Sequence, residues 1–296
     1  MPKLHRHRIG LRRIVQILSL FLINPYFSGL SSGGIYQGRL KYVCVPVLNC
    51  YSCPLAVFAC PLGALQNFFA YMRANISLGL YQSGLYVLGF LGIIGAIFGR
   101  ATCGWICPFG LLQDWAYRLK TPKFKVPRPL RYVKYAALAL TIFILPALLL
   151  DEFGYGQVWF CKWICPAGTL EAGIPLVSLN AGYREAIGTQ FWVKIAILVS
   201  FIIWMIFSRR PFCQTLCPLG AIFSFFNGIS LLRLSVDEEV CVKCDNCYRA
   251  CPMDLKVYED ANDPNCIRCL RCKGVCPVKA VRWGWINRSE EGYERG

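Results

Sequence analysis

The chain has 296 residues, 56% of them hydrophobic, with 18 cysteines and a formal net charge of +16 at pH 7. Positive mean hydropathy and long apolar runs exclude an ordinary soluble protein, and they exclude equally a short secreted scaffold stapled by disulfides. The basic excess does not point to nucleic acid, because Lys and Arg gather at the ends of apolar segments and form no basic groove pattern.

Residues 1–13 carry Lys3, Arg6, Arg8, Arg12 and Arg13 and lead into an apolar run from Ile14 to Leu30. No small-residue cleavage site follows, and Asn24-Pro25 lies inside the run, so it reads as a retained first transmembrane helix rather than a cleaved signal. Three further runs, at about 78–98, 133–150 and 191–207, have the length to span a hydrocarbon core. They lack the polar stripe of a soluble helix, and Lys134 and Lys194 sit near their ends, where they can snorkel. Lys and Arg number five in 1–13, three in 30–77, eight in 99–134, two in 151–190 and thirteen in 208–296. This alternation predicts four spans with both termini in the cytoplasm.

Between the spans a Cys-Pro-x-Gly element recurs at Cys60, Cys107, Cys165 and Cys217. Three copies have a partner four residues earlier, at Cys103, Cys161 and Cys213; the first has Ala56 there, with Cys44, Cys50 and Cys53 upstream. The predicted topology puts the second and fourth copies inside and the first and third outside. The region then consists of two like halves about an axis along the membrane normal. Thiols at i and i+4 can face one way at a helix end, so paired copies make four-thiolate cages. The inner cage would be Cys103, Cys107, Cys213 and Cys217, and a 4Fe-4S cluster is preferred there over zinc, a disulfide couple or structural thiols. On the outer side Cys161 and Cys165 join Cys44, Cys50, Cys53 and Cys60. The repeat matches Cys60 and Cys53 with Cys165 and Cys161, whereas local spacing favours Cys50-x2-Cys53, and the ligand set stays open. Gln66, Gln113, Asp114 and Glu171 read as helix caps or headgroup-facing residues rather than proton carriers.

The C-terminal part reads Cys241-x2-Cys244-x2-Cys247-x3-Cys251-Pro252 and then Cys266-x2-Cys269-x2-Cys272-x3-Cys276-Pro277. Three cysteines at three-residue steps wrap one cluster, and the fourth reaches the other. One 4Fe-4S cluster would take Cys241, Cys244, Cys247 and Cys276, and the other Cys266, Cys269, Cys272 and Cys251. Zinc needs four thiolates and has no use for the repeated third cysteine and Cys-Pro. Each cluster with its thiolates carries roughly −2 when oxidised, which offsets much of the basic excess.

With these residues in hand, most of 78–280 resembles the polytopic membrane ferredoxins of the NapH type, found beside periplasmic nitrate reductase, and the related region of NosR-type proteins. The resemblance rests on the four spans, the pairs Cys103/Cys107 and Cys213/Cys217, and the two C-terminal motifs. It implies a cytoplasmic-membrane electron carrier that takes part in quinol oxidation or passes electrons between quinol, cytoplasmic donors and periplasmic reductases. NosR-type likeness adds a sensor or maturation role as an alternative. The chain departs from that pattern in Cys161/Cys165 and in the stretch from Cys44 to Cys53, which resembles uncharacterised membrane 4Fe-4S proteins of anaerobes.

The expected architecture is an all-α membrane four-helix bundle with re-entrant Cys-Pro turns (1–232), an α+β two-cluster ferredoxin domain (233–285) and a mobile tail (286–296). The expected role is a relay between cytoplasmic ferredoxin clusters and membrane or outer-side clusters, with redox partner proteins on both sides. A quinone oxidoreductase subunit is the alternative, although no motif identifies a quinone pocket. No nucleophile–base pair or phosphate loop is legible, so the chain reads as an electron-transfer subunit rather than a stand-alone catalyst. The hydrocarbon core is about 30 Å thick, so cages on its two faces must dip inward or a quinone must mediate.

Overall fold

The computed structural model describes residues 3–77, 79, 82–152 and 154–285. The expected tail and three residues at the start of the second predicted span lie outside that range. The N-terminal helix is Lys3–Ile23. It ends where Asn24-Pro25 interrupts the apolar run, because proline brings no N–H and drives its predecessor out of the helical region. The predicted span Ile14–Leu30 is therefore not one helix. Ser28–Ser32 forms a separate short helix, closed by Gly33 in the left-handed conformation.

The N-terminal helix is inverted relative to a soluble one. Arg12, Gln16 and Ser19 are buried on one stripe with Ile23, while Leu11, Ile14, Leu18, Phe21 and Leu22 face outward. Arg12 and Gln16 each find partners inside, described below.

Two helices are long and apolar enough to cross a membrane, Arg128–Leu148 and Thr189–Phe207, and Gly84–Phe98 is a shorter apolar stretch. The first of these alternates 3-10, α and π segments. Its π segment Ala139–Ile144 precedes Pro146, and another, Thr169–Gly173, precedes Pro175. A proline two residues beyond removes a donor and crowds the carbonyl four residues back, and one widened turn absorbs both effects.

Each Cys-Pro-x-Gly element starts a short helix that packs inside this frame. Pro61–Ala70 lies against Gln82–Phe98, Pro108–Ala116 against the N-terminal helix and Thr189–Phe207, and Pro218–Phe226 against Val133–Leu138. The C-terminal unit is bounded by strands β1, Leu232–Val236, and β2, Val281–Trp285. They pair antiparallel with Leu232 opposite Trp285 and Val236 opposite Val281. Both four-cysteine motifs lie between the strands, and their short helices Asn246–Ala250 and Arg271–Val275 pack on each other. Arg271–Val275 also packs on the N-terminal helix, which docks the unit onto the rest of the chain.

Candidate metal centres

Cys241, Cys244, Cys247 and Cys276 line one hollow, and Cys251, Cys266, Cys269 and Cys272 line a second. In each, the fourth thiol comes from the other motif. Lys243 and Asp245 flank Cys244, and Arg268 and Leu270 flank Cys269; all four are left-handed, with φ of 50°, 59°, 48° and 59°. Asp254 and Lys279, three residues beyond Cys251 and Cys276, share that conformation. Such strain in non-glycine residues persists where the surroundings over-determine it. Alternating right- and left-handed residues turn successive amides to one side and make a nest for an anion. The two motifs therefore match in backbone as well as in spelling.

A third hollow is lined by Cys103, Cys107, Cys213 and Cys217. The paired thiols do not share one helix end, as the i, i+4 spacing suggested. Cys103 lies in Ala101–Trp105, while Cys107 caps the next helix in an extended conformation, and Cys213 and Cys217 repeat the arrangement. The break comes from the proline after each second cysteine, which excludes its predecessor from the helix and starts the next one. The following turn then serves the sulfur: the Gly220 N–H donates to Cys217 Sγ at 3.3 Å, and the Gly168 N–H to Cys165 Sγ at 3.4 Å. A helix N-terminus favours the thiolate form.

Two fully buried arginines cross this third cage. Arg100 Nη2 donates to the Cys213 carbonyl at 2.7 Å, and Arg210 Nη1 to the Cys103 carbonyl at 3.0 Å. The same relation holds in all four repeats, because Lys194 Nζ donates to the Cys161 carbonyl at 3.2 Å and Lys41 Nζ to the Ala56 carbonyl at 2.7 Å. Each copy thus has a cation on the carbonyl four residues before its Cys-Pro. The sequence carried a signal for two of these cations, an arginine three residues before Cys103 and before Cys213, which spacing arguments centred on cysteine passed over. Lys41 and Lys194 have no such register.

Gln66, Gln113, Asp114 and Glu171 do not cap helices or face headgroups. Gln66 and Gln113 are fully buried, each six residues after its Cys-Pro cysteine, and donate to Cys161 Sγ and Cys213 Sγ, both at 3.0 Å. Asp114 binds Arg12 at 2.5 Å, Arg210 at 2.9 Å and Arg271 at 3.5 Å. Burial pushes its pKa up, but Arg210, Arg12 and Arg271 outweigh that and hold the carboxyl well below the usual range. Glu171 accepts the Cys50 N–H at 2.6 Å. Tertiary burial overrode the expectation, because these side chains point between the repeats rather than away from them.

The thiols Cys44, Cys50 and Cys53 are spread along the loop before the first repeat. Cys44 bridges Ala59 and donates its N–H to Tyr86 Oη, and the Cys53 N–H closes a turn on the Cys50 carbonyl. This loop reaches inward, since Val47 and Leu48 line the third hollow beside Cys103, Cys107, Cys213 and Cys217. The C-terminal unit meets the same cage from the other side. A Cβ on Gly104 would collide with the Ile267 carbonyl, Trp105 Nε1 donates to the Arg268 carbonyl at 3.0 Å, and Asn227 Nδ2 to the Cys266 carbonyl at 2.7 Å.

Thiolates on zinc sit about 2.3 Å from the metal. Among the described residues no group of three or more Cys, His, Asp or Glu side chains converges to hold a single metal ion. Four thiols that line each hollow without converging on one point suit a multi-atom centre.

A family described as 4Fe-4S binding domain matches residues 57–79, 82–128, 135–174 and 190–236, which contain the four Cys-Pro repeats, and a second 4Fe-4S binding domain matches 234–255. The chain belongs to the NapH/NosR-type family of 4Fe-4S proteins. Similar chains include an uncharacterized protein of Methanocaldococcus jannaschii, 31% identical over 67% of this chain and 69% of that one. They also include the ferredoxin-type protein NapH of Haemophilus influenzae, 27% identical over 81% and 73%, and the methylamine utilization ferredoxin-type protein MauN of Methylorubrum extorquens, 29% identical over 82% and 74%. No solved structure matches. The NapH/NosR-type protein is a ferredoxin-type electron carrier with several 4Fe-4S clusters, and it exchanges electrons with redox partners.

Proposed function

We propose that this protein conducts electrons across a membrane, between the paired ferredoxin cages on the cytoplasmic side and the thiols on the outer side. In this reading Lys3–Ile23, Gln82–Phe98, Arg128–Leu148 and Thr189–Phe207 are the four spans of a bundle covering 1–232, and 233–285 is the ferredoxin domain. Support comes from the inverted N-terminal helix, from the outward-facing Leu85, Ile93, Trp192, Val199 and Ile203, and from the alternating basic segments.

The proposed ligands are Cys241, Cys244, Cys247 and Cys276 for one cluster, Cys251, Cys266, Cys269 and Cys272 for the second, and Cys103, Cys107, Cys213 and Cys217 for the inner one. The outer thiols hold a fourth. The surroundings suit groups of this charge. Arg100 and Lys134 are fully buried and, among the described residues, bond carbonyl oxygens of the backbone and of Asn265 but no carboxylate. An unpaired buried cation is costly, and a dianionic cluster in the neighbouring cage supplies the missing counter-charge.

When bound, the clusters supply one-electron redox chemistry. The chain's own residues hold the cages in a fixed order and shield them from water. The observation that carries the reading is contiguity. The Ile267 carbonyl, next to Cys266, lies against Gly104 between Cys103 and Cys107, and Leu48 lines the inner cage only two residues from Cys50. Two residues of chain span at most about 7 Å, so the outer loop brings its thiols well inside the roughly 30 Å core.

The test uses the full chain in sealed vesicles, with a reductant for the ferredoxin side outside and a dye acceptor trapped inside. Replacing Cys161 and Cys165 together by Ser should abolish dye reduction while the ferredoxin clusters remain reducible. Undiminished dye reduction in that variant would overturn the conduit.

A further inference from the structure

Six thiols lie on the outer side, and a cube takes four. We infer that Cys50 supplies the first thiol missing from the first repeat, so that the outer cluster is held by Cys50, Cys60, Cys161 and Cys165, while Cys44 and Cys53 are not ligands. The inference rests on the reading above that the outer thiols hold a cluster.

Internal symmetry carries the first part of the argument. The inner cage is built from the second and fourth repeats, each contributing a first and a second thiol. In the outer pair the third repeat contributes Cys161 and Cys165, and the first contributes Cys60 with Ala56 at the first-thiol position. Ala56 nonetheless keeps the backbone role of that position: it is fully buried, and its carbonyl takes a cation as those of Cys103, Cys161 and Cys213 do. The frame of the repeat is intact there, and only the sulfur is absent.

In three of the four copies the residue six places after the Cys-Pro cysteine is polar (the fourth has Phe223), and these three locate its replacement. Gln113 and Gln66 each reach the first cysteine of the opposite repeat, Cys213 and Cys161, through the sulfur. Glu171 is their counterpart after Cys165, and by the same symmetry it should reach the first cysteine facing it. A carboxylate is an acceptor and has no N–H to give a sulfur. It takes an N–H instead, and that N–H belongs to Cys50.

The sulfurs themselves converge. A Cβ placed on Gly168 would lie 3.5 Å from Cys50 Sγ and 3.7 Å from Cys165 Sγ, so both thiols border one spot. Cys161 Sγ accepts the Gln66 N–H, and Gln66 lies on the helix that Cys60 caps, so the same contact between repeats carries Cys60 and Cys161. Cys53 instead closes a turn within its own loop, its N–H donating to the Cys50 carbonyl, and Cys44 is bridged to Ala59 just before Cys60.

The experiment uses the full chain purified anaerobically, with iron counted per chain and EPR recorded after stepwise reduction. The single variants are Cys50→Ala, Cys53→Ala and Cys44→Ala, with Cys161→Ala as reference. Cys50→Ala and Cys161→Ala should each lose about four irons and the same EPR signal, and the ferredoxin signals should persist as proof of folding. Cys53→Ala and Cys44→Ala should keep their iron. Adding Ala56→Cys to Cys50→Ala should restore the lost signal by returning the thiol to its repeat position. Iron retained in Cys50→Ala but lost in Cys161→Ala overturns the inference and leaves the outer cluster standing, as does iron lost in Cys53→Ala. Iron unchanged in both Cys50→Ala and Cys161→Ala overturns the outer cluster itself.

Discussion

Arg100 and Arg210 exchange places across the inner cage, each donating to the carbonyl of the first cysteine in the other's repeat. Each also covers the glycine of the opposite Cys-Pro-x-Gly, since a Cβ on Gly220 would lie 2.6 Å from Arg100 Nη2 and one on Gly110 would lie 3.2 Å from Arg210 Nη1. The two halves of the cage are therefore tied by a reciprocal pair of buried cations. Their electrostatic positions differ, because the Arg210 guanidinium shares Asp114 whereas that of Arg100 bonds only backbone carbonyls among its described partners.

Arg100→Gln should lower the reduction potential of the inner cluster. Reduction adds negative charge to the cage, and Arg100, like Lys134, is a nearby cation that no carboxylate already offsets. Each charge-assisted hydrogen bond lost is worth about 1.5–3 kcal/mol. A redox titration followed by EPR should show one signal shifted negative in Arg100→Gln, with partial recovery in Arg100→Lys, which keeps the charge but not the fork. An unshifted titration would mean that Arg100 only braces the backbone.

Gly104→Ala should separate the ferredoxin domain from the inner cage. The position is helical, where alanine is intrinsically favoured, but its Cβ would strike the Ile267 carbonyl, which is backbone and cannot rotate aside. Electron transfer from the ferredoxin clusters to the inner one should slow at least tenfold with the iron content unchanged, as rapid-freeze EPR would report. Gly63→Ala is the control, since nothing lies within 4 Å of a Cβ there.

Gln113→Leu and Gln66→Leu should each shift a different cluster. The lost N–H···S bond stabilises the more negative, reduced state, so each substitution should make its own cluster harder to reduce. Gln113→Leu addresses the inner signal and Gln66→Leu the outer one. Paired titrations of the two variants would therefore assign the EPR spectrum. A common shift in both would show that the two cages do not titrate separately.

Asp114→Asn should destabilise the protein by about 3–5 kcal/mol, because it strands Arg12 and Arg210 as buried charges. The carboxyl is held far below its ordinary value in the folded state, so its contribution is complete above about pH 4. Below that the unfolded chain takes up the proton first, and the contribution declines. The stability difference between wild type and Asp114→Asn, from denaturant unfolding of the full chain, should stay level from pH 8 to 5 and narrow only in stronger acid. A difference that already narrows near neutrality would contradict the three-arginine environment.

Which C-terminal cysteines line one hollow together was legible in the spacing, and the reason is local. A three-residue step between cysteines specifies a tight loop, and Lys243, Asp245, Arg268 and Leu270 adopt the left-handed turns that such a loop requires. The inner four cysteines were legible as a set because the repeat spells them out, although the proline placed Cys103 and Cys107 on two helices instead of one. The reading of Ile14–Leu30 as one span failed at Asn24-Pro25, where local backbone chemistry outweighed hydrophobic length. Gln66, Gln113, Asp114 and Glu171 were misread because a polar residue beside an apolar run looks the same whether it faces lipid headgroups or a buried sulfur.

By itself the sequence determined the kind of centre and which cysteines recur at ligand spacing, because that spacing and the bend before proline are short-range properties of the chain. Only the tertiary structure decided how the repeats pair, which cations sit on the four carbonyls, and that Leu48 reaches the inner cage while Cys50 meets Gly168. These relations join residues from 15 to 113 or more positions apart. They depend on which helix faces pack together, and no local spacing encodes that.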